Sequence, residues 1–185
     1  MSRGTESGQR PLLDSRGQSL VEVLVVLSVA TIVMVALIII IIVGLRNAQF
    51  AQNQAKSTKY AQEAIEQVKS IRDRNGTIRF AEKTNFAELW DVYMNGDSSC
   101  ADSLGEAVGC YFILESGPSL VSTTFGTSKD LGDGFSRQII FEDKNNLTPP
   151  HYQTEKWVNV KVFWTDSSGM HESNLQTIVT NYNQI

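Results

Sequence analysis

The chain has 185 residues, 42% of them apolar and 19% charged, with a net charge of −4. That length allows one globular domain of about 110 residues beside a long helix. The acidic balance excludes a general electrostatic footprint for nucleic acid, and no internal repeat is present.

The first feature in chain order is a short polar stretch carrying Arg3, Arg10 and Arg16 against Glu6 and Asp14. An apolar run follows from Leu20 to Val43, interrupted only by Glu22, Ser28 and Thr31. At ~1.5 Å per residue this run extends about 36 Å as a helix, enough to cross a hydrocarbon core of roughly 30 Å with some tilt. Lipid leaves a helix as the only option for a single segment. The upstream arginines place the N-terminus in the cytoplasm and the residues after Arg46 outside. A secretory signal peptide fits poorly, because its apolar region is usually about 7–15 residues. A plain signal-anchor accounts for the run but not for Glu22. An acid in a membrane helix costs up to roughly 2.5–3.5 kcal/mol at the centre, and less near an end.

The helix is expected to continue past the membrane. From Arg46 to Arg74 there is no Pro and no Gly. Ala48, Ala51, Ala55, Ala61, Ala64, Ile65, Val68 and Ile71 recur at largely helical spacing. Lys59 and Glu63 form an i,i+4 pair, and Asn75-Gly76 is a left-handed stop. Tyr60, Ala64, Ile65, Val68 and Ile71 are assigned to core contact with the outer domain. The small residues at 48, 51 and 55 suit close packing against neighbouring subunits.

The outer domain reads as mixed. Thr84 or Asn85 caps a short helical stretch, Phe86 to Tyr93. Residues 95–109 are loop-like. Strands are expected at Tyr111–Leu114, Arg137–Glu142, Trp157–Thr165 and Asn174–Thr180. In the third, Val158, Val160, Val162 and Trp164 share one face, with Asn159 and Lys161 on the other. Asp166-Ser167-Ser168-Gly169 is the turn between the last two strands. Ser116–Gly134 and Asp143–Gln153, with Pro149-Pro150, read as surface loops. The arrangement is α+β: a long N-terminal helix carrying an antiparallel meander on its C-terminal half.

Cys100 and Cys110 both fall on the outer side, where a disulfide forms and closes the loop between them; a loop this short contributes about 2–3 kcal/mol. A metal pair is the weaker reading, and no metal or cofactor is assigned. Asn95, Asp97, Asp102 and Glu106 offer oxygens of the kind Ca²⁺ takes, but their spacing matches no motif; a solvated loop is the expectation. His151 and His171 are the only histidines. His171 reads as a wet surface residue, and no nucleophile elbow, phosphate loop or zinc-peptidase motif is present. An enzyme is not expected.

Arg16-Gly17-Gln18-Ser19-Leu20-Val21-Glu22-Val23 resembles the processing site of type IV prepilins and type II secretion pseudopilins. In that family a short basic leader is cut after a Gly, and a Glu stands fifth in the mature chain; here those are Gly17 and Glu22. The resemblance implies cleavage of the Gly17–Gln18 bond by a prepilin peptidase and methylation of the new Gln18 amine. Glu22 then neutralises the Gln18 amine of another subunit during assembly. The residues alone leave a second role open, a Glu22 that snorkels to the headgroups. The family's commonest first mature residue is Phe, whereas Gln18 stands here; Ile39 stands where many major pilins carry a helix-kinking Pro. Ser19 to Leu27 is closer to V-type minor pilins and I-type minor pseudopilins.

The outer arrangement also resembles the pilin fold. The chain divides accordingly into a leader (1–17), a membrane half of the helix (18–45), a soluble half (46–74) and a globular extracytoplasmic domain (75–185). The implied partners are the prepilin peptidase, other pilin or pseudopilin subunits and the inner-membrane assembly platform. The implied location is the inner membrane, crossed once with the N-terminus inside, followed by a surface or periplasmic filament. A different class of function, a membrane-anchored binding module using the same processing without polymerising, gives Glu22 no task. The resemblance does not choose among secretion, DNA uptake, adhesion and motility.

Overall fold

The computed structural model describes residues 15–94, 100, 109–115, 119–143 and 154–181. The chain divides into two compact units, Met1–Gln49 and Phe50–Ile185. The first contains most of the apolar part of helix α1 (Ser15–Asp73), and the second begins within that helix. The helix from Phe50 onward falls in the same unit as the sheet.

Helix α1 ends where its backbone finds a local stop. The Gly76 N–H donates to Ile71 O at 2.7 Å and the Asn75 N–H to Arg72 O at 3.1 Å. This pair of bonds satisfies two carbonyls that the last turn leaves open. Asn75 takes the left-handed conformation, with φ 48°. Asparagine tolerates it better than most residues do, so Gly76 is spared that role. Asn75 Oδ1 also accepts the Ala87 N–H at 2.8 Å, tying the helix end to the next element. The i,i+4 partner found at Glu63 is Gln67, whose Nε2 donates to it at 3.2 Å, rather than the expected Lys59.

Strands β1 (Thr77–Phe80) and β2 (Lys83–Asn85) come next, then a 3-10 helix, Phe86–Asp91. The expected short helix is therefore present, but tighter and shorter than Phe86–Tyr93. Its start is held by Glu88, whose carboxylate accepts the N–H groups of Thr84 and Asn85 at 2.6 and 3.2 Å. These bonds favour the ionised form and hold Glu88 below the usual carboxylate range. The remaining strands are β3 (Cys110–Leu114), β4 (Leu120–Thr123), β5 (Lys129–Gly132), β6 (Phe135–Glu142), β7 (Glu155–Asp166) and β8 (Gly169–Thr180).

Among the described residues these strands form one sheet in the order β2-β1-β4-β3-β6-β7-β8, with β5 paired to β6. Long antiparallel pairing from β6 through β8 matches the expected meander. Three features depart from it, the first being that β1 and β2 lie where no strand was expected. Strands β4 and β5 lie inside Ser116–Gly134, which the sequence suggested was loop; both are four residues long, too short to show a clear period. The β1–β4 pair is parallel, through Ile78 opposite Leu120, so the sheet is mixed. That pairing joins residues distant in sequence, and no local pattern announces it.

The α+β core lies between the second half of α1 and the inner face of the sheet. Ala61, Ala64, Val68 and Ile71 are at most 1% exposed, and so are Val158, Val160, Val162, Ile139, Phe141 and Phe112. Alanine at 61 and 64 lets the helix backbone approach closely, while the valines of β7 fill the pleat. Ile65 is buried as expected, and Tyr60 packs partly buried against the same core. Two tryptophans flank the valine run of β7. Trp164 is buried on the inner face, and Trp157 stands half-buried on the opposite parity.

Gly109 precedes β3 and permits a close crossing. Its φ is +106°, and a Cβ there would meet Phe141 O and Glu142 Cγ at 2.8 Å and Ile140 Cγ2 at 3.1 Å. Both the conformation and the crowding favour glycine. Gly109→Ala is expected to destabilise the domain by about 2–4 kcal/mol, combining backbone strain with overpacking. Urea unfolding followed by tryptophan fluorescence checks this through a lowered midpoint at unchanged slope.

Candidate functional site

The apolar half of α1 is the most unusual surface of the molecule. Every residue from Leu20 to Phe50 is exposed. Among the described residues this is one helix long and apolar enough to cross a membrane. Its internal polar groups are satisfied within the helix itself. Ser28 Oγ donates to Leu24 O at 2.7 Å, and Thr31 Oγ1 donates to Ser28 O at 2.8 Å. Hydroxyls bonded to their own helix carbonyls can enter hydrocarbon without leaving an orphan donor.

Glu22 differs from those hydroxyls. It lies exposed on α1 among Leu20, Val21, Val23 and Leu24, each more than half exposed. Gly17 and Gln18 lie within the first turn of the same helix, which begins at Ser15, earlier than the expected Gln18; their side-chain surroundings lie outside the described residues. Gly17, Gln18 and Glu22 therefore share one helical segment. Ala48, Ala51 and Ala55 are exposed on the same helix.

The second unit carries the other predicted pair. Cys100 and Cys110 are joined as a disulfide, with Cα atoms 4.5 Å apart. Asn95, Asp97, Asp102 and Glu106, and likewise His151, Pro149 and Pro150, lie outside the described residues. Among the described residues no cluster of His, Cys, Asp and Glu could hold a metal ion.

His171 is half-buried rather than wet. Its ring stacks on Trp164 at 5.3 Å and meets Phe50 edge-on at 5.2 Å, while Nε2 lies 2.9 Å from Asp166 Oδ1. His171 faces Trp164 across the β7–β8 ladder, so both share the inner face. Asp166 also accepts the Ser168 N–H at 2.7 Å, which shapes the two-residue turn. The His171 hydrogen bond, then that backbone donor, hold the Asp166 carboxyl below its usual range.

Two buried cations were not assigned from the sequence. Arg137 is 6% exposed and donates from Nη1 to Tyr60 O at 3.1 Å; burial pushes its pKa down, opposed by Glu63. Lys156 is 1% exposed, with Nζ 2.6 Å from Asp143 Oδ1 and 2.7 Å from Val92 O. Asp143 was expected in a surface loop; it is 4% exposed and accepts the Met94 N–H as well. Burial lowers the Lys156 pKa, opposed by Asp143. Both cations stand at inward positions of their strands, in phase with Phe135, Ile139 and Phe141 or with Val158, Val160 and Val162. That phase was a readable signal, obscured because a charge is ordinarily assigned to the wet face.

No protein-family model, curated protein or solved structure matches the chain.

The Asp166 contact has a sign that pH can test. A carboxyl held low in the folded state contributes stability above its unfolded pKa and loses that contribution as pH falls through the folded one. Wild-type stability should therefore decline as pH drops below the ordinary carboxylate range, and Asp166→Asn should flatten part of that decline. Urea midpoints measured across the acid range check the difference.

Proposed function

We propose that this chain is a structural subunit, of the minor type, of a type IV pilus-like or type II secretion pseudopilus filament. The reading rests above all on one observation: Gly17, then Glu22 five residues on, at the head of an exposed apolar helix. An α+β domain whose sheet packs on the second half of the same helix is compatible with it. In this reading the prepilin peptidase cuts after Gly17 from the cytoplasmic side, and the Gln18 amine is methylated. Single-pass insertion holds the outer domain beyond the inner membrane until the assembly platform adds the subunit to a filament.

Glu22 is the assembly contact in this proposal. Its carboxylate meets the cationic amine on Gln18 of a neighbouring subunit as the helices stack with an axial offset. Opposite charges attract strongly at low dielectric, and each is costly alone. The pair thus specifies stagger, as a buried polar residue specifies register in a coiled coil. Ala48, Ala51 and Ala55 offer small side chains for close helix packing beyond the membrane.

Processing is tested by intact mass of membrane-extracted protein. The mature chain should begin at Gln18 with one added methyl group, and Gly17→Leu should leave the precursor uncut. A chain still beginning at Met1 in cells with an active prepilin peptidase would overturn the reading.

Assembly is tested by the ratio of this protein in sheared filaments to that in the inner membrane. Glu22→Val leaves a buried amine unpaired at roughly 3–5 kcal/mol, so the ratio should fall at least ~100-fold while insertion and cleavage persist. Glu22→Gln should be intermediate. Equal ratios for all three proteins would make Glu22 a snorkelling anchor and favour a non-polymerising membrane-anchored binding module.

A further inference from the structure

The Lys156–Asp143 pair is enclosed more completely than an ion pair ordinarily is. The side chains are 1% and 0% exposed, and Nζ lies 2.6 Å from Oδ1. Taking two charges out of water costs several kcal/mol per ion, so such a pair is under pressure to become neutral. Its surroundings supply the groups that a condensation needs. Val92 O accepts from Nζ at 2.7 Å and fixes the nitrogen against the carboxyl. The Met94 N–H donates to Oδ2, the oxygen that Lys156 does not hold. Cys110 Sγ lies 3.8 Å from Met94 O, so the disulfide to Cys100 packs against the segment after the 3-10 helix that presents both backbone groups.

We propose that Lys156 and Asp143 are a self-modifying pair that condenses to an intramolecular amide, joining Nζ of Lys156 to Cγ of Asp143 with loss of one water. The proposal is independent of the filament reading.

The step balances within the two residues. Along the 2.6 Å hydrogen bond one proton passes from Nζ to Oδ1 and leaves a neutral amine beside a carboxylic acid. The amine lone pair attacks Cγ and forms the N–C bond. Negative charge gathers on Oδ2, where the Met94 N–H already points, as a donor in an oxyanion hole does. The nitrogen then gives a second proton to Oδ1. The Cγ–Oδ1 bond breaks, and that oxygen leaves as water carrying both protons. No oxidant, activating group or second molecule is required. Fixed neighbours of this kind react with effective molarities of about 10⁵–10⁸ M. Enclosure from water also opposes the reverse hydrolysis. The product would link the end of β6 covalently to the start of β7, closing the chain between 143 and 156.

Intact mass spectrometry of the reduced, purified full chain tests the proposal. Wild type should be lighter by one water than the sequence mass for its measured N-terminus. Proteolysis should release a branched peptide containing Lys156 and Asp143. Asp143→Asn should reach the same final mass as wild type, because the identical amide forms with loss of ammonia. Lys156→Arg and Asp143→Ala should both stay at full mass. Wild type at full mass, with Lys156 open to an amine reagent after denaturation, would reduce the site to a buried ion pair and overturn the proposal. A lost water mapped instead to Asp133-Gly134, as a succinimide, would overturn it equally. Both of these outcomes are measured on wild type, so a variant that fails to fold does not obscure them.

Discussion

A helix that is apolar on every side can persist alone only in a medium that does not compete for its side chains. From Leu20 to Leu45 helix α1 has no polar face to turn to water, and its hydroxyls bond back to its own carbonyls. The same helix has a different character from Ser57 onward, where one stripe is buried against protein and the rest is polar. Two media are therefore written into a single continuous element. The apolar half demands lipid or other helices, and the second half demands a sheet.

The sheet meets the second demand with the inner face of β7 and its neighbours. Alternation along β7 places three valines and Trp164 on the helix side. The aromatic contacts of Phe50, His171, Trp164, Phe135 and Tyr60 extend that face toward the first residues of the unit. At the other end Phe86, Phe112 and Phe141 pack together beside the helix terminus. The core is thus a slab with aromatic rings at both ends and aliphatic side chains between them. Among the described residues charge enters this slab at two points, Arg137 and Lys156, and at each a backbone carbonyl accepts from the buried cation. Burying a cation without such partners would cost far more than the packing returns.

Strong periodicity was the part of the fold legible from the sequence. The helix, its Asn75-Gly76 stop, the inward valines of β7 and the β7–β8 turn each depend on neighbours within a few residues, and each is present. Strands β4 and β5 were not legible, because a four-residue strand carries two residues per face and Ser/Thr/Gly-rich composition resembles loop. The Asp143 site was not legible either. An acid after a strand reads as solvated unless its partner is known, and Lys156 lies thirteen residues away.

By itself, therefore, the sequence determined the α+β class, the apolar span, the position of Glu22 near its head and the stripe of α1 that meets the sheet. All of these follow from local periodicity and from the transfer cost of side chains. Only the tertiary structure decided that β1 pairs parallel with β4, that His171 packs between Phe50 and Trp164, and that Lys156 and Asp143 meet out of water. Each of those contacts joins segments whose separate patterns are weak or point to solvent. Their energies arise only after the chain has brought them together, when exclusion of water makes one hydrogen bond or one charge decisive.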